Sequence, residues 1–385
     1  MTRAVFWQNR PSIHQAALIR AVGDTLGTPS VVVIEQPLDR RRIEHGWTFP
    51  DYGDSSVTVA PSDADRRHLE RSLAGAAIHV FSGLGVYPAT ARSMTRLAAF
   101  GRAGDAVRLV FAEPWSESAR RRAKYRLARL RYRRCVDGVL ACGPVGVRQY
   151  RGIGFRKSKV LEFGYFLDVS NTPTAHVTGG GAGRAEPFRV AFIGSLDARK
   201  RPDWVLRALS GIRGRDWSLD IVGTGPHRDE LRRLAGELGL GDRVRWRGVL
   251  PNGDVAALLV ASDVLVLPSR HDGWGAVVNE ALGAGTPVIV SDAAGASVLV
   301  AGRMRGSVFR SGSLDALRDA LVHHLDRGCV SVERRVQIRS WTARYASAPV
   351  AAAYLLDVVE SVRGRRPAPV PPWRATQPDA SEHPA

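Results

Sequence analysis

Ser269-Arg270-His271-Asp272-Gly273-Trp274-Gly275-Ala276-Val277-Val278-Asn279-Glu280-Ala281-Leu282-Gly283-Ala284-Gly285-Thr286-Pro287-Val288-Ile289-Val290 decides how this chain folds. A short apolar run at 263–267 precedes it and reads as a buried strand. Gly273 and Gly275 then supply flexible backbone. The pattern predicts a helix over 276–282, stopped by Gly283 and Gly285, and a further strand over 287–290. Strand, glycine-containing turn, helix and strand form a parallel unit. Its turn lies at the carboxyl end of the strands, where open α/β sheets bind ligands. The helix is expected to start near residues 274–276, where free N–H groups and the positive dipole end make an anion site. Asp272 lies just before that start, and Glu280 lies eight residues later, roughly 5–8 Å along the axis. Two carboxylates beside an anion site are odd for a phosphate alone. They suit a ligand that also carries sugar hydroxyls, because carboxylates accept strong O–H hydrogen bonds.

The rest of the second half repeats the unit. A strand at 189–193 leads into Gly194-Ser195-Leu196-Asp197-Ala198-Arg199-Lys200-Arg201, with a helix starting at Pro202. A strand at 219–222 leads into Gly223-Thr224-Gly225-Pro226 and a helix to about 238. A strand at 244–246, a helix over 252–260 and another over 314–325 complete the series. Strands and helices alternating at this spacing mean a doubly wound parallel sheet. Three glycine-bearing loops then share one sheet edge. Arg199 and Lys200 bring fixed positive charge to a place suited to a diphosphate. Either cation alone reads as a surface residue, but their place at a strand-to-helix turn favours the ligand reading. Gly223-Thr224-Gly225 by itself is a weak signal.

In the first half, strands are expected at 4–7, 31–35, 77–81, 107–111, 136–141 and 159–163. Helices are expected from Ser12 to about 26, and over 63–73, 90–102 and 144–153. Ser12 and Gln15 match a capping box, so Gln15 reads as a cap rather than a ligand contact. His14 sits in the first turn, facing crevice or solvent. Glu113 stands just past a strand end, as a site candidate or an exposed acid. Residues 120–134 hold nine basic residues and no acid, and their pattern predicts a helix suited to anionic headgroups, or a solvated face of an Arg-rich protein.

At 385 residues, two domains are expected, and 44% hydrophobic residues allow two cores. No apolar run reaches membrane-spanning length. The start of the chain is too quickly polar for a signal peptide and reads as a first strand. Cys135, Cys142 and Cys329 have no metal-ligand spacing, which points to a reducing cytoplasm. The net charge of +18 allows anionic membrane, nucleotide and nucleic acid as partners. Only four residues are lysine, so a codon preference for Arg explains the composition equally well.

The series Gly194-Ser195-Leu196…Lys200, then Val222-Gly223-Thr224-Gly225-Pro226, then Pro268-Ser269…Asp272-Gly273-Trp274-Gly275…Glu280-Ala281…Gly285-Thr286-Pro287-Val288 resembles the retaining glycosyltransferases of family 4. The resemblance covers residues 189–292 densely, and the first half only in texture. It implies a GT-B fold, two Rossmann-like doubly wound parallel-sheet domains facing across a cleft. It places a nucleoside-diphosphate sugar on the second domain and a glycan or lipid-linked acceptor on the first. It implies that Lys200, with Arg199, neutralises the leaving phosphate, that Asp272 contacts the transferred sugar and that Glu280 holds the ribose hydroxyls. Gly194, Ser195, Gly223, Gly225, Gly273, Trp274, Gly275, Ala276 and Val277 would line the donor, and His14 and Glu113 are candidates on the acceptor side. No metal and no cofactor are implied. The family often has Glu where this chain has Asp272, and Arg where it has Ser195; Arg199 is a candidate to substitute for that Arg.

The expected organisation is an acceptor domain over 1–168, a linker over 169–187 and a donor domain over 188–340. The resemblance implies that helices over 341–363 cross back to the first domain, and the composition predicts a disordered tail over 364–385. The expected activity is retaining transfer of a hexose-type sugar to a hydroxyl of a glycan or glycolipid precursor. The expected place is the cytoplasm, with peripheral association at the inner face of the cell membrane through residues 120–134. The rival readings are a GT-B nucleotide-sugar epimerase and a basic nucleic-acid-binding protein; no nucleic-acid motif supports the latter.

Overall fold

The computed structural model describes residues 3–44, 46–101, 105–168 and 187–375. The expected linker at 169–187 falls almost wholly outside the described residues, as does the tail beyond 375. The described chain divides into two compact units. One takes its residues from Met1–Arg40, Thr48–Asp168 and Ala346–Thr376, the other from Arg41–Trp47 and Val169–Tyr345.

In the first unit the strands are β1 (Ala4–Gln8), β2 (Val31–Ile34), β3 (Ser56–Val59), β4 (Ile78–Ser82), β5 (Val107–Ala112), β6 (Gly138–Cys142) and β7 (Val160–Phe163). In the second they are β8 (Phe188–Ile193), β9 (Trp217–Val222), β10 (Val244–Gly248), β11 (Val264–Leu267), β12 (Val288–Ser291) and β13 (Gly306–Phe309). The helices follow in chain order: α1 (Ile13–Leu26), α2 (Arg40–Glu44), α3 (Asp63–Leu73), α4 (Pro88–Ala99), α5 (Ala119–Tyr132), α6 (Gly143–Gly152), α7 (Pro202–Ser210), α8 (Arg228–Glu237), α9 (Asn252–Ala261), α10 (Val277–Ala284), α11 (Leu314–Asp326), α12 (Val332–Tyr345) and α13 (Ala348–Val362).

The first sheet has seven parallel strands in the order β3-β2-β1-β4-β5-β6-β7, and the second six in the order β10-β9-β8-β11-β12-β13. Both are therefore doubly wound, as expected. Their central strands are largely apolar because helices cover both faces, and β2, β11 and β12 are buried at every residue. The order reverses between β1 and β4 in the first sheet and between β8 and β11 in the second. Loops leaving those strands splay apart at the reversal, and the crevice between them is where such sheets hold ligands.

Three local expectations are corrected. The helix after the opening turn starts at Val277 rather than near 274–276, and Gly283 lies within it. Gly285 is what ends it, in the left-handed region at φ 80°. A side chain there would stand 2.7 Å from the Arg335 carbonyl oxygen, so close packing on α12 also demands glycine. Ser12 occupies the N-cap of α1 but makes no side-chain cap, and the Gln15 side chain accepts from Gln8 Nε2 rather than closing a capping box. Residues 364–375 are not a disordered tail. Trp373 is buried against Phe166 at a centroid distance of 5.6 Å, and Arg374 pairs with Glu162 at 2.8 Å. The sequence shows two prolines before one tryptophan there; it does not show the apolar socket that receives the ring.

Candidate functional site

The second unit places Lys200 and Asp272 side by side. Lys200 lies on the loop after β8 and Asp272 on the loop after β11, the two strands at the reversal. The Lys200 ammonium donates directly to Asp272 Oδ2. Arg199 Nη1 stands 3.6 Å from the same oxygen, and the Ser269 hydroxyl donates to it at 3.4 Å. Burial alone would raise the Asp272 carboxyl; the Lys200 charge and hydrogen bond, then Arg199 and His271, hold it below the ordinary range. Glu280, one helical turn into α10, behaves oppositely. Burial pushes its carboxyl up to about 7, and Lys200 only partly offsets this.

Each loop is held by its own backbone. Asp197 Oδ1 accepts the N–H groups of Arg199 (3.0 Å) and Lys200 (2.9 Å), which aims the two cations along one turn. Arg201 closes that turn at φ 56°, a left-handed conformation uncommon for a residue with a side chain. The Asp272 loop is clamped by the chain after β12. Asp272 N–H donates to the Ala293 carbonyl at 3.2 Å, and Ala296 N–H to the Trp274 carbonyl at 2.9 Å.

The glycines divide by role. Gly194 faces the Lys200 stem, with its missing Cβ position 3.6 Å from Lys200 Cε. A Cβ on Gly223 would stand 2.0 Å from the Gly194 carbonyl oxygen, and one on Gly225 2.5 Å from the Leu196 carbonyl oxygen. Those two glycines let the loop after β9 press on the loop after β8, where Leu196 N–H donates to the Thr224 carbonyl at 3.0 Å. Gly275 is at φ 94°, and a side chain there would strike Leu267 at 2.8 Å. Trp274 is buried, its indole N–H donating to Asn279 Oδ1 at 2.7 Å, so its ring braces the turn. The Val278 N–H donates to the Gly275 carbonyl at 2.9 Å and closes the first turn of α10. Ser195 and Gly273 are half-buried on the same two loops, and Ala276 is the N-cap of α10.

In the first unit His14 and Glu113, separated by 99 residues, meet through Tyr165. The Tyr165 hydroxyl donates to Glu113 Oε1 at 2.6 Å, and the His14 ring packs edge-on to the Tyr165 ring at 5.8 Å. Behind them runs an oriented chain. Ser12 N–H donates to the Tyr52 hydroxyl (3.2 Å), Tyr52 to Gln8 Oε1 (2.7 Å), and Gln8 Nε2 to Gln15 Oε1 (2.7 Å). Gln15 in turn hydrogen-bonds the Tyr165 hydroxyl. Burial and the Glu113 charge push the Tyr165 phenol far up, so it stays a donor. Every donor in the chain points toward Glu113. The sequence does not mark Tyr165, Gln8 or Tyr52, because the Tyr52–Gln8 and Tyr165–Glu113 pairings span 44 and 52 residues. The signal that was there is that Gln8 is the last residue of β1 and Tyr165 lies two residues past β7.

Residues 182–339 match the family model described as "Glycosyl transferases group 1". D-inositol 3-phosphate glycosyltransferase of Mycobacterium tuberculosis is 35% identical over 167 residues, 41% of this chain and 33% of that protein. The chain thus spans about a third of the length of the curated relatives it matches. Among solved structures, Anabaena Alr3699/HepE in complex with UDP superposes with a TM-score of 0.72 at 15% identity, covering 94% of this chain and 100% of that one. A glycosyltransferase from Rickettsia africae gives 0.70 at 13% identity, covering 94% and 98%. Sucrose-phosphate synthase from Thermosynechococcus elongatus gives 0.67 at 16%, covering 95% and 100%. The chain therefore has the GT-B fold, and residues 182–339 are similar to the glycosyl transferases group 1 family.

Proposed function

We propose that this chain transfers a hexose-type sugar, with retention of anomeric configuration, from a nucleoside diphosphate to a hydroxyl of a glycan or glycolipid precursor. The observation that carries the reading is the Lys200–Asp272 pair at the strand-order reversal, with Arg199 beside it and the start of α10 behind it. The group 1 match over residues 182–339 and the superposition on a UDP complex support a nucleoside-diphosphate donor in this unit.

In this reading the diphosphate takes Lys200 and Arg199 as partners in place of part of the Asp272 contact. Charge that develops on the departing phosphate is stabilised by those two cations and by the dipole of α10, without a metal. Asp272, released toward the sugar, accepts its hydroxyls. Glu280 accepts the ribose hydroxyls. On the first unit Glu113, with Tyr165 and His14, receives the acceptor hydroxyl, since a carboxylate fed by an oriented donor chain is a ready O–H acceptor. The protein would work in the cytoplasm, at the inner face of the membrane where a lipid-linked acceptor lies.

A thermal-shift panel of UDP-, GDP- and ADP-sugars tests the donor, because a ligand of the folded state raises its stability. One nucleotide class is expected to raise the midpoint. On that donor Lys200→Ala should lower turnover about a hundredfold or more, and Glu280→Gln should mainly weaken binding. Near-wild-type kinetics in both variants would overturn the assignment.

A further inference from the structure

Helix α5 packs its aromatic face on the protein and leaves a second apolar row facing outward. Tyr125, Ala128, Arg129 and Tyr132 face inward. Tyr125 stacks on Trp115 at 4.1 Å and 15°, the Arg129 guanidinium sits 5.9 Å from the Phe155 ring centre, and Tyr132 is buried. The opposite face is led by Ala123, Leu127 and Leu130, whose spacings of four and three put them in one row. Leu127 is 67% exposed and Leu130 56%. Arg120, Lys124 and Arg131, at spacings of four and seven, run along one flank of that row, and Arg122, Arg126 and Arg133, spaced alike, along the other; all six are exposed. A surface hollow of about 700 Å³ opens beside Ala123 and Leu127, with Arg122 and Arg126 in its wall.

Within the fold this arrangement is costly. Two leucines stand in water, and Arg120, Arg121 and Arg122 occupy the first turn, where positive charge opposes the helix dipole. An anionic surface above the helix relieves both costs together. Leucines enter the acyl boundary, and arginines on either side spread their guanidinium groups among phosphates while their stems cover apolar surface. Nucleic acid would use the cations and leave the leucine row without a role.

We propose that α5 is an interfacial helix that docks the chain on an anionic lipid bilayer, with Leu127 and Leu130 inserted and the six flanking cations on headgroups. Ala119, where α5 begins, is six residues past Glu113. Docking there brings a lipid-linked acceptor to the candidate acceptor residues; that consequence, unlike the docking, rests on the function proposed above.

Sedimentation with phosphatidylcholine vesicles, with and without phosphatidylglycerol, tests it. Binding should require phosphatidylglycerol and weaken with salt. Arg122→Gln with Arg126→Gln should reduce it about fivefold per charge removed. Leu127→Ser with Leu130→Ser should reduce it about tenfold or more. All four positions are exposed, so both variants should keep the wild-type thermal midpoint. Equal binding to both vesicle types overturns the proposal, as does full phosphatidylglycerol binding by the leucine variant. Tighter binding to duplex DNA, lost in the arginine variant and indifferent to the leucines, makes this a nucleic-acid surface instead. The assay contains no sugar. Failure to sediment leaves the glycosyl-transfer reading standing, and a nucleotide-sugar panel without effect leaves the docking reading standing.

Discussion

Lys200 faces two acids that respond to it differently. Asp272 touches the ammonium and is held ionised; Glu280 feels the same charge but is governed by burial, up to about 7. A carboxyl whose folded-state pKa is raised binds its proton more tightly when folded. Its stabilising contribution is complete below the unfolded pKa and is lost as pH rises through the folded one. Wild-type stability relative to Glu280→Gln should therefore fall between about pH 4.5 and about 7 and be level above that, as measured by urea unfolding across pH. A difference that stays flat would show that Glu280 is not held protonated. Most of this site was legible at the residue level. Lys200, Arg199 and Asp272 lie in strand-to-helix loops that alternation alone locates. Their separation by 72 residues closes to a direct contact because β8 and β11 are neighbours. What could not be read is the role of each glycine. Gly223 and Gly225 look like ligand glycines, yet the backbone of the neighbouring loop is what excludes their side chains.

Among the elements, the unread ones are those whose burial depends on partners far along the chain. β3 and β13 lie at sheet edges, are short and are partly exposed, so neither shows a clean apolar run. α12 starts at Val332, though only its last turn was expected to be helical. Its first half reads as polar because Arg335, which looks like a surface cation, is buried on the Ser262 carbonyl at 2.8 Å and near Asp263 at 3.7 Å. The same blindness turned residues 364–375 into an expected tail. Replacing Trp373 by Ala should cost about 3 kcal/mol in urea unfolding by emptying the socket on Phe166. A loss near zero would show that the segment is not held.

For the whole molecule, the chain leaves the first unit at Asp168 and returns to it at Ala346. α13 packs beside α1, and the Tyr354 ring stacks on Phe163 at 5.6 Å while its hydroxyl donates to the Glu162 carbonyl at 2.8 Å. Ending the chain after Tyr345 should therefore unfold the first unit and spare the second. Limited proteolysis should then yield a protected fragment covering 188–345; protection of 3–168 instead would contradict this. Among the described residues no helix is long and apolar enough to cross a membrane. The sequence by itself determined the two doubly wound sheets, through β/α alternation, and the loops that carry the donor-side charges, because strand ends and glycine punctuation are local properties. Only the tertiary structure decided that α5 shows its leucines outward, that Tyr165 joins His14 to Glu113, and that Trp373 is core. Each of those depends on which distant surface covers a side chain, and periodicity along one segment carries no information about that.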